Sequence, residues 1–147
     1  MEKPQPASEE RASFRVGVNA FVVRDGKLLL GQRKGGNSDG AWGMPGGHLE
    51  DKESMLEAAA RELAEETGLR ASTLQFILLV NNRQRDRHYI QTGFLAEGVR
   101  GEPELKEPEL CYEWRWCDLD NLPEPIFIGH QKLIELYKEG ATNFGEA

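Results

Sequence analysis

Nowhere in this 147-residue chain do apolar side chains run on for the roughly 18–20 positions that a membrane-spanning helix needs. The first residues also lack the apolar core of a secretion signal. A membrane or export role is therefore not expected. Basic side chains are the minority, 18 Lys and Arg against 25 Asp and Glu, and the formal net charge is −7. Counterion-release binding of a nucleic-acid polymer needs a basic face, so that partner is disfavoured. A small phosphorylated ligand is not, because a bound cation reverses the local field. Cysteine is scarce as well. Cys111 and Cys117 lie six apart in what reads as one strand, too extended there to bridge each other. They are expected to be reduced, buried thiols in a cytoplasmic protein.

What remains is the composition of one folded domain, 39% hydrophobic and 29% charged, long enough to bury a core. Residues 1–13, polar with Pro4 and Pro6, read as a flexible arm. Residues 14–140 read as the domain and 141–147 as a C-terminal tail. Phe14 to Val23, the turn Asp25-Gly26 and Lys27 to Gln32 predict a hairpin. Lys34 to Gly43 is a glycine-rich loop, and Pro45-Gly46-Gly47 forces a sharp turn and a close approach. A helix is expected over Lys52 to Thr67, with Asp51 as N-cap and Gly68 as terminator. Its inward face would be Leu56, Ala59, Ala60 and Leu63, with Ala59-Ala60 allowing a close fit to a sheet. Strands follow at Leu74 to Val80, read as central, at His88 to Ala96, and at Leu110 to Cys117. A last helix is expected at about Ile126 to Lys138. The order of elements is α+β-like, with helices covering a mixed sheet.

The chemistry concentrates on the first helix. Glu62, Glu65 and Glu66, spaced by three and four, fall on one side of a helix, roughly 40–60° apart. Three anions so close repel one another unless a cation sits among them. Hard oxygen ligands suit Mg²⁺ or Mn²⁺ rather than zinc or copper. Glu53, Glu57, Arg61 and Glu65 continue an i, i+4 ladder in which Arg61 is one turn from an acid on either side. A solvated acidic face is the bland alternative. Against it stands the glycine loop just upstream, whose carbonyls could complete a metal's coordination.

The full pattern is Gly47, five residues, Glu53, seven residues, then Arg61-Glu62-Leu63-x-Glu65-Glu66-x-Gly68-Leu69. Chance would produce its nine fixed positions about once in 10⁸ windows. It resembles the signature box of the Nudix superfamily at every defining position. Gly40 to Glu50 resembles the approach to the box in MutT-like members. Glu107-Pro108-Glu109, Trp114-x-Trp116 and Leu122-Pro123 resemble the branch acting on nucleoside triphosphates. The resemblance implies an α/β/α sandwich around a mixed sheet, a Mg²⁺-dependent pyrophosphohydrolase and a homodimer. The expected reaction converts a (d)NTP and water to (d)NMP and diphosphate, with pterin triphosphates and oxidised or methylated nucleotides as variants. ADP-ribose, nucleotide sugars or dinucleotides are the alternative substrates, and a nucleotide-sensing module is the non-enzymatic one.

By position, the resemblance gives Glu62, Glu66 and the Gly46 carbonyl as metal ligands, and Glu65 as a further ligand or the proton acceptor. Glu53 and Arg61 match the pair that ties loop to helix. Substrate contacts are sought in Arg33, Arg83, Arg85 and Met44. The arginines around Arg83, Arg85 and Arg87 either reach phosphates or decorate an exposed loop. Trp42 and Met44 either meet a base or anchor their loop in the core. Trp114 and Trp116 are expected to pack on a helix, and His48 and His130 carry no assigned role. The segment Ile126 to Gln131 offers Phe127 as its one aromatic. A carboxylate from this half of the chain is left open among Glu107, Glu109 and Glu113.

Overall fold

The computed structural model describes residues 12–147, so nearly all of the expected arm lies outside the described residues. Strand β1 (Arg15–Arg24) turns into β2 (Lys27–Arg33) at Asp25-Gly26. Both turn residues have positive φ, 51° and 75°, the tight geometry that suits a twisted hairpin. The hairpin then splits. Only Val23 with Leu28 and Arg24 with Lys27 are paired. Beyond them β1 runs parallel to β6 (His88–Glu97), and β2 runs antiparallel to β7 (Cys111–Asp118).

The segment Trp42–His48 fills the fork. Its first part, β3 (Trp42–Gly43), pairs with β2, and its last part, β4 (Gly46–His48), pairs with β1. Between them the Ala20 N–H donates to the Pro45 carbonyl at 2.8 Å. Strand β5 (Thr73–Arg83) lies antiparallel to β6, and β8 (Asn143–Glu146) adds in parallel beyond it. The spatial order is β3-β2-β1-β6-β5-β8, with β4 and β7 paired to β1 and β2 off that path.

Period-two alternation sends side chains to two helix-covered faces. Val18, Ala20 and Val22 of β1 pack toward helix α1 (Met55–Thr67), with Ala58, Ala59 and Leu63. Phe21 points the other way, into a cluster with Leu133 and Ile134 of helix α2 (Gln131–Lys138). The result is the expected α/β/α sandwich with a mixed sheet. Cys111 and Cys117 are both free thiols. Trp114 and Trp116 pack against the cluster containing Leu63, as the sequence suggests.

Several local expectations are corrected. Helix α1 starts at Met55, not Lys52. Its N-cap is Ser54, whose Oγ accepts the Glu57 N–H at 3.1 Å, and not Asp51. Lys52 adopts φ 62°, which ends any helix before it and leaves Glu53 outside the helix. The buried small pair is Ala58-Ala59; Ala60 is exposed and Leu56 is 52% exposed. Gly68 does terminate the helix, with φ 74°. Strand β5 is next to the edge rather than central.

The second helix begins five residues later than expected. Residues 125–127 are held extended along β3 instead: Trp42 N–H donates to Pro125 O at 2.9 Å, and Phe127 N–H to Trp42 O at 2.8 Å. Residues 143–146, expected within a tail, form β8. Leu63 sits at 1% exposure where α1 meets the sheet. Leu63→Ala is expected to destabilise the fold by about 2–5 kcal/mol in urea unfolding. A loss under about 1 kcal/mol would show that α1 is not anchored through this face.

Candidate active site

The loop before α1 and the helix itself are joined by one guanidinium. Arg61 Nε donates to Glu53 Oε2 at 2.6 Å and Nη2 to Glu53 Oε1 at 3.0 Å, a bidentate pair. Arg61 Nη1 donates to Glu62 Oε1 at 2.7 Å and, more weakly, to Glu65 Oε2 at 3.4 Å. Nη2 also reaches the His48 carbonyl at 3.3 Å. Glu53 Oε1 in turn accepts the Glu50 N–H at 3.1 Å. These hydrogen bonds raise the Arg61 pKa and hold the Glu53 carboxyl below its usual range. The expected loop–helix pair is therefore present, but Glu53 reaches Arg61 from the loop and not along a helical ladder. Glu57 makes no bond to Arg61.

Glycine is required where this helix meets β4. A Cβ on Gly47 would fall on the Glu62 carboxylate, and one on Gly46 would meet Asn19 and the Val18 carbonyl. With no side chain there, the Gly46 N–H donates to Glu66 Oε1 at 3.0 Å. Burial, then Glu62 and Glu107 nearby, outweigh that bond and raise the Glu66 pKa to about 9.

Glu62, Glu65 and Glu66 open onto a cavity of about 740 Å³, with Glu50, Glu107 and Glu109 on its other walls. Burial, Glu109 and the helix carboxylates raise the Glu107 pKa too. Glu113 is turned away and pairs with Arg115 at 3.0 Å, which removes it from the three carboxylates left open by the sequence. Among the described residues, no three His, Cys, Asp or Glu side chains are already gathered tightly enough to hold an ion. Arg61 and the Gly46 amide hold the Glu62 and Glu66 oxygens instead. The donor set nonetheless fits a hard divalent cation, since all these donors are oxygens and the buried Glu66 faces other anions. Glu62, Glu65, Glu66 and the Gly46 carbonyl are the residues that would hold it.

A second cavity, of about 600 Å³, lies on the other side of Gly46 and shares Arg33 with the first. Arg33 stacks on the Phe127 ring, 4.0 Å from guanidinium carbon to ring centroid. Arg85 and Arg87 reach this cavity from the β5–β6 connection. Arg83 is not among the residues lining it and is directed instead toward Glu146 of β8, at 3.7 Å. Met44 is mainly a core residue, 4% exposed beside Phe21 and Leu30, and only borders the acidic cavity. Trp42 is likewise core. His48 stacks on Tyr89 at the edge of the second cavity.

Sequence reasoning passed over His130, Asn19 and Gln91. His130 is buried, and its Nδ1 accepts the Met44 N–H at 3.0 Å, which pins β3–β4 from the α2 side. Burial lowers its pKa to about 3, so the ring is neutral with its proton on Nε2. Asn19 and Gln91 are buried polar residues on the floor of the second cavity. The available signal was a lone amide in the apolar run of β1, where burial demands partners.

The NUDIX domain family matches residues 13–137. The chain belongs to the Nudix family. It is 35% identical over 124 residues to the ADP-ribose pyrophosphatase of Methanocaldococcus jannaschii, covering 83% of this chain and 72% of that one. It is 34% identical over 109 residues to the oxidized purine nucleoside triphosphate hydrolase of Danio rerio, covering 70% and 65%. The crystal structure of a MutT NUDIX hydrolase from Burkholderia pseudomallei matches with TM-score 0.79 and 32% identity, over 84% of this chain and 98% of that one. This protein is thus a Nudix hydrolase acting on a pyrophosphate bond, in a family that generally uses divalent metal ions. No helix among the described residues is long and apolar enough to cross a membrane.

The raised Glu66 pKa has a measurable consequence. Between the ordinary value of 4.5 and about 9, the folded carboxyl keeps a proton that the unfolded one has lost. Metal-free stability therefore falls as pH rises through that window. Native protein in chelator should lose melting temperature relative to Glu66→Gln as pH is raised, and a divalent cation should reverse the loss. Parallel pH curves for the two proteins in chelator would refute the assignment.

Proposed function

We propose that this Nudix hydrolase cleaves a nucleoside triphosphate, (d)NTP + H₂O giving (d)NMP + diphosphate, with Mg²⁺ or Mn²⁺ as the ion. The observation that carries this reading is the shared wall. Arg33 and Gly46 border both the carboxylate-lined cavity and the arginine- and aromatic-lined one. A polyphosphate lying across that wall has its reacting phosphorus near the carboxylates and its nucleoside in the second cavity. A bound divalent ion supplies charge neutralisation of the phosphates and lowers the pKa of water.

The chain's own residues do the positioning. Arg61 holds Glu62 in place through its 2.7 Å bond, and Arg33, backed by Phe127, offers a flat donor to a phosphate. The Glu65 side chain is 53% exposed at the rim and is the proton acceptor in this reading. Arg85 and Arg87 add positive charge, which suits a triphosphate better than the less anionic diphosphate of ADP-ribose. ADP-ribose remains the second reading, supported by the name of the archaeal relative. The full set of box carboxylates supports turnover over mere nucleotide sensing. A homodimer and a cytoplasmic setting belong to the proposal on the strength of the family resemblance.

The test is a hydrolysis panel with Mg²⁺ over (d)NTPs, oxidised and methylated nucleotides, ADP-ribose and dinucleotides, with products identified. The expected outcome is release of diphosphate from triphosphates at the highest kcat/KM. Glu66→Gln should lower kcat about a hundredfold or more while keeping the fold, because one anionic ligand is removed at constant volume. Preference for ADP-ribose would overturn the triphosphate reading, and near-normal turnover by the variant would overturn the role of Glu66.

A further inference from the structure

The floor of the second cavity carries two amides whose orientation is fixed by the backbone. Asn19 is 2% exposed and Gln91 5%. Asn19 Nδ2 donates to the Thr92 carbonyl at 3.0 Å and to Gln91 Oε1 at 2.8 Å. A backbone carbonyl can only accept, so the Thr92 oxygen settles which end of Asn19 carries the hydrogens. The Asn19 NH₂ then settles Gln91 in turn, leaving its oxygen toward Asn19 and its NH₂ on the far side. Thr92 is itself locked, since its hydroxyl donates to the Gly17 carbonyl at 2.8 Å.

The Gln91 NH₂ group has no protein acceptor among the described residues. Nor is it sealed in the core: among the described residues, the enclosed side-chain polar atom without a partner is Trp114 Nε1. Gln91 Nε2 is therefore a buried residue's donor that opens onto the cavity its side chain lines. Its position is also fixed sterically. The parallel register sets Gln91 beside Gly17, and a Cβ on Gly17 would land on the Gln91 carboxamide. A Cβ on Gly129 would also come within 3.0 Å of Nε2. The carboxamide thus lies close to the backbone of two glycines, and Phe127 and Tyr89 also line the cavity.

We propose that this cavity reads a nucleobase by its oxygen, the Gln91 NH₂ donating to a ring keto group while Asn19 holds the amide in the donating orientation. A base with a 6-keto group, such as hypoxanthine or guanine, accepts that bond. The 6-amino group of adenine sets donor against donor at the same point. The inference refines the triphosphate reading by naming the base edge, but it concerns the nucleoside cavity alone. Asn19 is a positioning residue in it, and Gln91 the residue that touches the base.

Inosine and adenosine nucleotides isolate the contact, because their bases differ in the 6-keto and 6-amino groups and the ring proton that goes with them. The native protein should bind IMP about tenfold more tightly than AMP in titration calorimetry, the size of one neutral hydrogen bond. The same ratio is expected in kcat/KM for ITP over ATP. In Gln91→Met, of similar volume but without polar atoms, the ITP to ATP ratio should collapse toward unity. IMP and AMP bound equally by the native protein would overturn the proposal, whatever happens to the variant. So would a folded Gln91→Met that keeps the native ratio. Should ITP be hydrolysed poorly while IMP still binds more tightly than AMP, the triphosphate reading falls alone; a preference for ADP-ribose, whose base is adenine, would count against both.

Discussion

The site depends on one guanidinium placed among acids. Without Arg61, Glu50 and Glu53 of the loop and Glu62 of α1 would lose the cation that they share. Its planar fork satisfies two Glu53 oxygens and one from Glu62, and reaches a backbone carbonyl, a geometry that a lysine ammonium does not reproduce. Arg61 is 23% exposed and Glu53 12%, so this is a half-dry network where hydrogen-bond geometry outweighs bulk Coulomb attraction. Its consequence is orientational. With Glu62 held on one side and Glu66 on the Gly46 amide, these two carboxylates keep fixed orientations while Glu65 stays at the exposed rim.

That arrangement needs the fork in the sheet. Because β1 and β2 share only two residue pairs before parting, Trp42–His48 can enter between them and bring Gly46 to the face of α1. The insertion is gripped from both faces. Ala20 bonds Pro45 from β1, while the His130 ring and the extended segment 125–127 hold Trp42–Met44 from the α2 side. A Cβ on Gly43 would reach 2.9 Å from His130 Nδ1, so the backbone and the imidazole are close-packed there. One inserted segment thus forms the partition between two cavities of opposite character, and a rigid partition keeps their spacing constant.

The part of this design that obeys short-range rules was legible in the chain. The hairpin turn, the Gly68 stop, the α+β order of elements and the carboxylate face of α1 follow from spacing and turn chemistry, while the sandwich came from the family resemblance. The start of α1 was not, because Asp51 and Ser54 are both acceptable caps, and the left-handed Lys52 that decides between them has no composition signal. The late start of α2 was hidden for a tertiary reason. Residues 125–127 have helix-compatible side chains but spend their backbone groups on Trp42. Arg83 and Arg85 look equivalent in sequence, two residues apart. The strand sends Arg83 toward β8, while Arg85 lies past the strand end and turns into the cavity. The floor amides of the second cavity stayed invisible because their meaning lies in the β1–β6 register, which joins residues 72 apart.

The charge on the first cavity also constrains the order of events. Six carboxylates line it against Arg33, Lys34 and Arg61, so the formal charge of its walls is −3, or −2 while Glu66 keeps its proton. The whole chain adds a field of the same sign, with a net charge of −7. A polyphosphate entering such a cavity alone meets repulsion at short range, where solvent screening is weakest. Arg33 by itself cannot offset it, since its guanidinium is shared with Phe127 and faces Glu66 as well. A divalent cation held by these carboxylates would offset that repulsion and favour the ionised form of Glu66. Metal affinity, ionisation of Glu66 and admission of a phosphorylated substrate would then be linked through the burial of that one glutamate.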